Sequence, residues 1–150
     1  MELIDKLLSI KEWVGRNGLK VSDADGKVCF AQSLPILQAP KTNKRDAKLF
    51  VAFRPSDNIK NEVSVTPGYE FNKNNSVIAA SGKNKFKFDI KEQGFAWIAD
   101  NKIELKMIKQ MRKGSRIMIT GYNQQGSQTI DHYSLLGFTK AYNASKKACS

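Results

Sequence analysis

One histidine and two cysteines among 150 residues leave few of the groups on which catalysis and metal binding usually rest. Cys29, Cys149 and His132 cannot close a structural zinc site without help from carboxylates. No Gly-x-Ser-x-Gly, His-Glu-x-x-His, phosphate loop or dinucleotide glycine pattern occurs. A serine or cysteine triad would have to use His132. Its neighbours Asp131, Tyr133 and Ser134 fall on the same strand pattern, where adjacent side chains face opposite sides, so Asp131 is badly placed to orient it. A half-exposed strand histidine is the simpler reading, with an uncharacterised hydrolase centred on His132 as the minor alternative. Glu62 and Glu104 are candidate acids for a carboxylate pair, but nothing in their spacing brings them together. The expectation is no enzyme, no catalytic residue, no metal ligand and no cofactor.

Long hydrophobic runs are missing as well. None approaches the roughly 18–20 apolar residues that a bilayer-spanning helix needs, so no integral membrane segment is expected. The opening residues Met1-Glu2-Leu3-Ile4-Asp5-Lys6-Leu7-Leu8 are amphipathic and carry acids, unlike a signal peptide. The protein is expected either to stay where it is made or to have lost its export signal. Arginine is scarce too: five of the 25 basic residues, against 20 lysines. Arginine is the better reader of bases and phosphates, so a net charge of +11 built on scattered lysine fits a solvated coat better than a dedicated nucleic-acid site. The densest basic group is Lys41, Lys44, Arg45 and Lys48, a candidate patch for an acidic surface or polyanion.

What the chain does have is an ordinary globular composition, 41% hydrophobic and 26% charged, over a length that suits one domain spanning residues 1–150. Most of it reads as short strands between turns. Trp13-Val14 and Leu19-Lys20-Val21 lead into the acidic turn Ser22-Asp23-Ala24-Asp25-Gly26. Lys27–Gln32 and Leu49–Phe53 are apolar on both faces, as central strands are. The stretch from Gln38 to Asp46 is polar and holds Pro40, which predicts the longest loop. Glu62–Thr66 alternates strictly and stops at Pro67-Gly68. Ser76–Ala80 and Lys85–Ile90 flank Gly82-Lys83-Asn84 as a hairpin, and Arg116–Tyr122 and Thr129–Ser134 frame Asn123–Gly126 as another.

Two helices are predicted. Asn101 and Glu104 have capping-box spacing, and Gly114 follows Arg112-Lys113 as a stop. Ile103, Met107, Ile108 and Met111 share one stripe, while Lys102, Lys106, Lys109 and Lys113 share the opposite, wet face. The last helix runs from about Phe138 to Ala148 with Phe138, Ala141, Tyr142 and Cys149 on its apolar face. Cys149 then points towards the domain and Cys29 sits on an apolar strand. In an oxidising compartment a disulfide between them is favoured; in a reducing one, two separate buried thiols. The bond would close a loop for which chain entropy gives roughly 4–5 kcal/mol. The predicted fold is mainly β: an antiparallel sandwich of seven to nine strands with two short helices, the second at the C-terminus.

Several segments together resemble a known family. They are Gly26-Lys27-Val28-Cys29-Phe30-Ala31, Arg54-Pro55, Asn61-Glu62-Val63-Ser64, Gly68-Tyr69, Lys113-Gly114-Ser115, and Tyr133-Ser134-Leu135-Leu136-Gly137-Phe138-Thr139-Lys140-Ala141 before Lys147-Ala148-Cys149. This pattern, over about residues 13–149, is similar to that of the invasion-associated locus B family of exported alphaproteobacterial proteins. The resemblance implies a periplasmic or secreted location, and with it the oxidising compartment that a Cys29–Cys149 bond requires. It also implies a link to host-cell invasion and virulence in some pathogens, and brings no catalytic residue. The expected protein acts by binding, its partner an unknown protein or envelope component. A polyanion such as nucleic acid, acidic lipid or glycan is the alternative.

Overall fold

The structure, a computed structural model, describes residues 17–22, 28–42 and 44–150, the first group by its backbone alone. The amphipathic start, Trp13-Val14, residues 23–27 of the acidic turn and its following strand, and Asn43 lie outside the described residues. Among the described residues, eleven strands form two antiparallel sheets. The six-stranded sheet runs in space as β1 (Asn17–Ser22), β2 (Val28–Ser33), β4 (Lys48–Arg54), β5 (Ile59–Thr66), β9 (Phe95–Trp97) and β8 (Ile90–Glu92). The five-stranded sheet runs as β3 (Leu37–Ala39), β11 (Gln128–Ser134), β10 (Arg116–Tyr122), β6 (Val77–Ser81) and β7 (Asn84–Phe88). Helix α1 (Asn101–Lys113) joins β9 to β10, and α2 (Phe138–Ala148) follows β11.

The sandwich and both helices are as the sequence predicts, with more strands than the predicted seven to nine. Among the additions are β3 and β8, each three residues long. β3 lies partly inside the predicted loop. It is a strand because β11 supplies its ladder, with Ile130 opposite Ala39 and His132 opposite Leu37. No local pattern announces a strand whose partner is some 90 residues away in the chain.

The main core lies between the sheets. Leu49, Val51 and Phe53 of β4 and Val63 and Val65 of β5 meet Val77, Ala79, Ile117, Ile119 and Tyr133 of the second sheet. Helix α1 adds Met107, Ile108 and Met111, and α2 adds Phe138 and Tyr142. The stripe seen at helical spacing is thus core packing. A second cluster occupies the other face of the six-stranded sheet: Val28, Phe30, Phe50, Ala52, Phe95 and Trp97. Two apolar faces explain why β2 and β4 read as continuous hydrophobic runs, since each strand sends alternate side chains into a different cluster.

The start of α1 differs by one residue from the capping-box reading. Asp100 is the N-cap, its carboxylate accepting the Lys102 N–H at 2.8 Å. Glu104 therefore falls one position too far along to return to the cap. It turns towards β5 and accepts the Val63 N–H at 2.7 Å.

Candidate functional site

Cys29 and Cys149 are bonded, with their Cα atoms 5.9 Å apart. The geometry follows from the two elements that carry them. In β2, Cys29 stands opposite Phe53 and faces away from the Val28–Phe30 cluster. Cys149 ends α2, whose buried face is Phe138, Ala141, Tyr142 and Ser145. The Tyr142 ring packs on Phe53 at 5.6 Å, and its hydroxyl donates to Asn61 Oδ1. Covalent bond, ring contact and hydrogen bond together hold the last helix against β2, β4 and β5 respectively.

The two acids singled out in the sequence come together in a cleft of about 560 Å³. Glu62 and Glu104 line it with Trp97, Ile90, Lys60 and Asn101. Both acids are engaged. Glu62 Oε2 accepts from Arg54 Nη2 at 2.9 Å, and Arg54 also reaches Asp57 at 3.2 Å. Glu104, 5% exposed, accepts from Val63 on one oxygen and from Asn101 Nδ2 on the other at 3.2 Å. Burial pushes its pKa up to about 7; the two hydrogen bonds pull it down, and the nearby charges of Glu62 and Asp100 add to the rise. Chemically, Glu104 is a clamp that fastens the first turn of α1 to β5. Glu62 Oε1 and Trp97 Nε1 are buried without hydrogen-bond partners among the described residues.

His132 stands on the outer face of the five-stranded sheet, in a row with Leu37 and Met118. Asp131 points the other way, into the molecule. It is 2% exposed and takes a two-pronged ion pair from Arg45, at 2.6 and 2.9 Å. The arrangement the strand pattern predicts is therefore what the fold shows: Asp131 does not orient His132.

The same ion pair divides the candidate basic patch. Lys41 and Lys44 line a cleft of about 490 Å³ with Pro35, Ile36 and Leu37. Arg45 is turned inward, bonded to Asp131 and to the Pro67 carbonyl at 2.9 Å, and lies over the Tyr69 ring. Lys48 sits 3.5 Å from Asp46. Half-buried Arg45 has its charge matched by Asp131, for a reason the sequence hides: its partner is 86 residues away. Among the described residues, no group of three or more histidines, cysteines or acids is placed to hold a metal. No helix among them is long and apolar enough to cross a membrane.

The described residues thus form a disulfide-closed, two-sheet sandwich whose prominent acids serve internal contacts. The family model for Invasion associated locus B (IalB) protein matches residues 19–146, and the chain belongs to that family. A crystal structure of invasion associated protein b from Bartonella henselae has a similar fold, with a TM-score of 0.61 over 93% of this chain and 98% of that one, at 16% sequence identity. No curated protein matches the chain. The family is not a known enzyme family. The resemblance carried by the short motifs is therefore borne out, and the structure gives several of them a physical role. Asn61 accepts from Tyr142. Gly114 sits where a Cβ would lie 2.8 Å from Ser81 Oγ and 3.1 Å from a Leu135 methyl group.

Proposed function

We propose that the chain is a non-enzymatic protein of the bacterial periplasm or cell surface, acting as a single domain through binding, in a process linked to host-cell invasion. The observation that carries this reading is the Cys29–Cys149 bridge in a chain of the invasion-associated family. Such a bond persists in oxidising compartments and is rare in the cytosol. The engaged acids and the isolated His132 support a role in presenting surface. The test is alkylation and mass spectrometry of protein recovered from the cell envelope. Both sulfurs should resist alkylation until a reductant is added; two free thiols in that fraction would remove the basis for the location.

A second reading, binding of an acidic polymer or surface, is favoured by the uneven charge. Residues 105–150 hold eight basic residues and one acid, Asp131, which is buried against Arg45. Affinity for a polyanion should fall steeply with added salt. Salt-insensitive, weak binding to heparin and to nucleic acid would dispose of it.

A further inference from the structure

The basic C-terminal third is gathered by the fold at one end of the molecule. The last turn of α1, the β6–β7 turn, the start of β10 and the turn between β11 and α2 converge around Gly114. They are tied together there. Ser81 Oγ donates to the Arg116 carbonyl at 3.0 Å, and Asn84 Nδ2 to Gln110 Oε1 at 2.9 Å. Leu135 N–H donates to the Ser115 carbonyl at 3.0 Å, and Arg112 Nη2 to Asn143 Oδ1 at 3.0 Å. The exposed charged side chains that these segments carry are Lys83, Arg112, Lys113, Arg116 and Lys140. Residues 71–88 contain no acid, and residues 105–150 contain only the buried Asp131, so no carboxylate from these segments dilutes the group.

Leu136 is on the turn that Leu135 ties to these cation-bearing segments. It is 85% exposed, more than any other large apolar side chain among the described residues. Its position follows from the backbone: Gly137 has φ +81°, so the chain turns sharply from β11 into α2 and carries Leu136 on the turn. A single exposed leucine is ordinary on a protein surface. A leucine on a turn whose neighbouring segments carry exposed cations, at an end formed of a hairpin tip, a helix end and a turn, is a different object. An anionic bilayer rewards both parts at once, through lipid phosphates for the cations and the acyl boundary for the leucine. Nucleic acid would use the cations and leave the leucine idle. A protein partner would call for a broad apolar patch with a polar rim, where this end offers one side chain.

We propose that this end of the molecule docks on the surface of an anionic phospholipid bilayer, with Leu136 entering the headgroup region and Lys83, Arg112, Lys113, Arg116 and Lys140 contacting lipid phosphates. The proposal rests on the reading of the chain as a binding protein with an acidic counterpart, and it names the counterpart and the surface. The test is co-sedimentation of the full chain with vesicles of phosphatidylethanolamine containing about one-third phosphatidylglycerol, beside vesicles of neutral phosphatidylcholine. Binding is expected to the anionic vesicles only. Leu136→Ser should weaken it about fivefold, and the pair Lys113→Gln and Arg116→Gln about tenfold or more. Lys41→Gln with Lys44→Gln, distant in the fold, should leave it unchanged. Thermal unfolding of each variant shows that it is folded. Binding that ignores Leu136 and is matched by heparin or DNA would overturn lipid docking and leave the general polyanion reading standing. Absence of binding to anionic vesicles would overturn it too, without touching the thiol test of location.

Discussion

The two sheets of this protein turn very different outer faces away from the core they share. On the six-stranded sheet that face is a second buried cluster, with Phe30, Phe50, Phe95 and Trp97 at its centre. On the five-stranded sheet the corresponding face is open. Leu37 and Met118 are 49% and 37% exposed in the row of His132, and Lys85, Lys87 and Arg116 flank them. The first face belongs to strands that are apolar on both sides, the second to strands that alternate. The buried face also carries more unpaired polar atoms than the open one, where among the described residues His132 Nδ1 is buried without a partner. Gln32 Nε2, Arg54 Nε, Glu62 Oε1, Ser64 Oγ and Trp97 Nε1 are buried without hydrogen-bond partners among the described residues. By register and alternation these side chains lie on the same side of the sheet as Phe50 and Ala52. The lysines and Arg116 of the open face are exposed to water, so burial rather than composition makes the difference.

The contrast can be broken most directly at Trp97. Truncation to alanine should lower stability by about 3–5 kcal/mol, whereas Met118→Ala on the open face should change it by no more than about 0.5 kcal/mol. Urea denaturation of the two variants side by side measures both. Equal effects would mean that the two faces are not different in kind. Next in size is the covalent link behind the buried face: replacing Cys29 and Cys149 with serine should cost roughly 2–5 kcal/mol, read from the same curves without reductant.

Glu104 sharpens the comparison by pH. Its folded pKa, near 7, lies above its ordinary 4.5, so the folded chain holds this proton more tightly than the unfolded one. The resulting stability is fully present below about pH 4.5 and is lost as pH rises through about 7, a decline of roughly 3 kcal/mol. Glu104→Gln keeps an acceptor for the Val63 N–H and should flatten that decline, raising the urea midpoint near about pH 8 and leaving it unchanged near about pH 4. The smallest expected effect is Ser64→Ala, which removes a buried hydroxyl without a partner; it should be neutral or stabilising by up to about 1 kcal/mol. A large loss there would show that the hydroxyl makes a contact in solution.

Much of this architecture was legible because it is local. The hairpin around Gly82-Lys83 appears as β6 and β7, and the one around Asn123–Gly126 as β10 and β11. The apolar spacing of the last helix placed Phe138, Ala141, Tyr142 and Cys149 on its inner side, as observed. Arg45 was legible only as a charge in a basic run, since nothing near it in the chain signals the buried carboxylate of Asp131. Glu104 was legible as a first-turn acid. That it clasps Val63, 41 residues earlier, was not.

Strand alternation, helix periodicity and the positions of the two cysteines are properties of neighbouring residues, and the amino-acid order by itself determined them. Which charges are consumed inside, which acids share a cleft, and how α1, two turns and α2 bring cation-bearing segments to the end that carries Leu136 were decided only in the folded molecule. Pairings between residues far apart in the chain carry no local signature, because their energy depends on contacts that exist only once the sheets have packed.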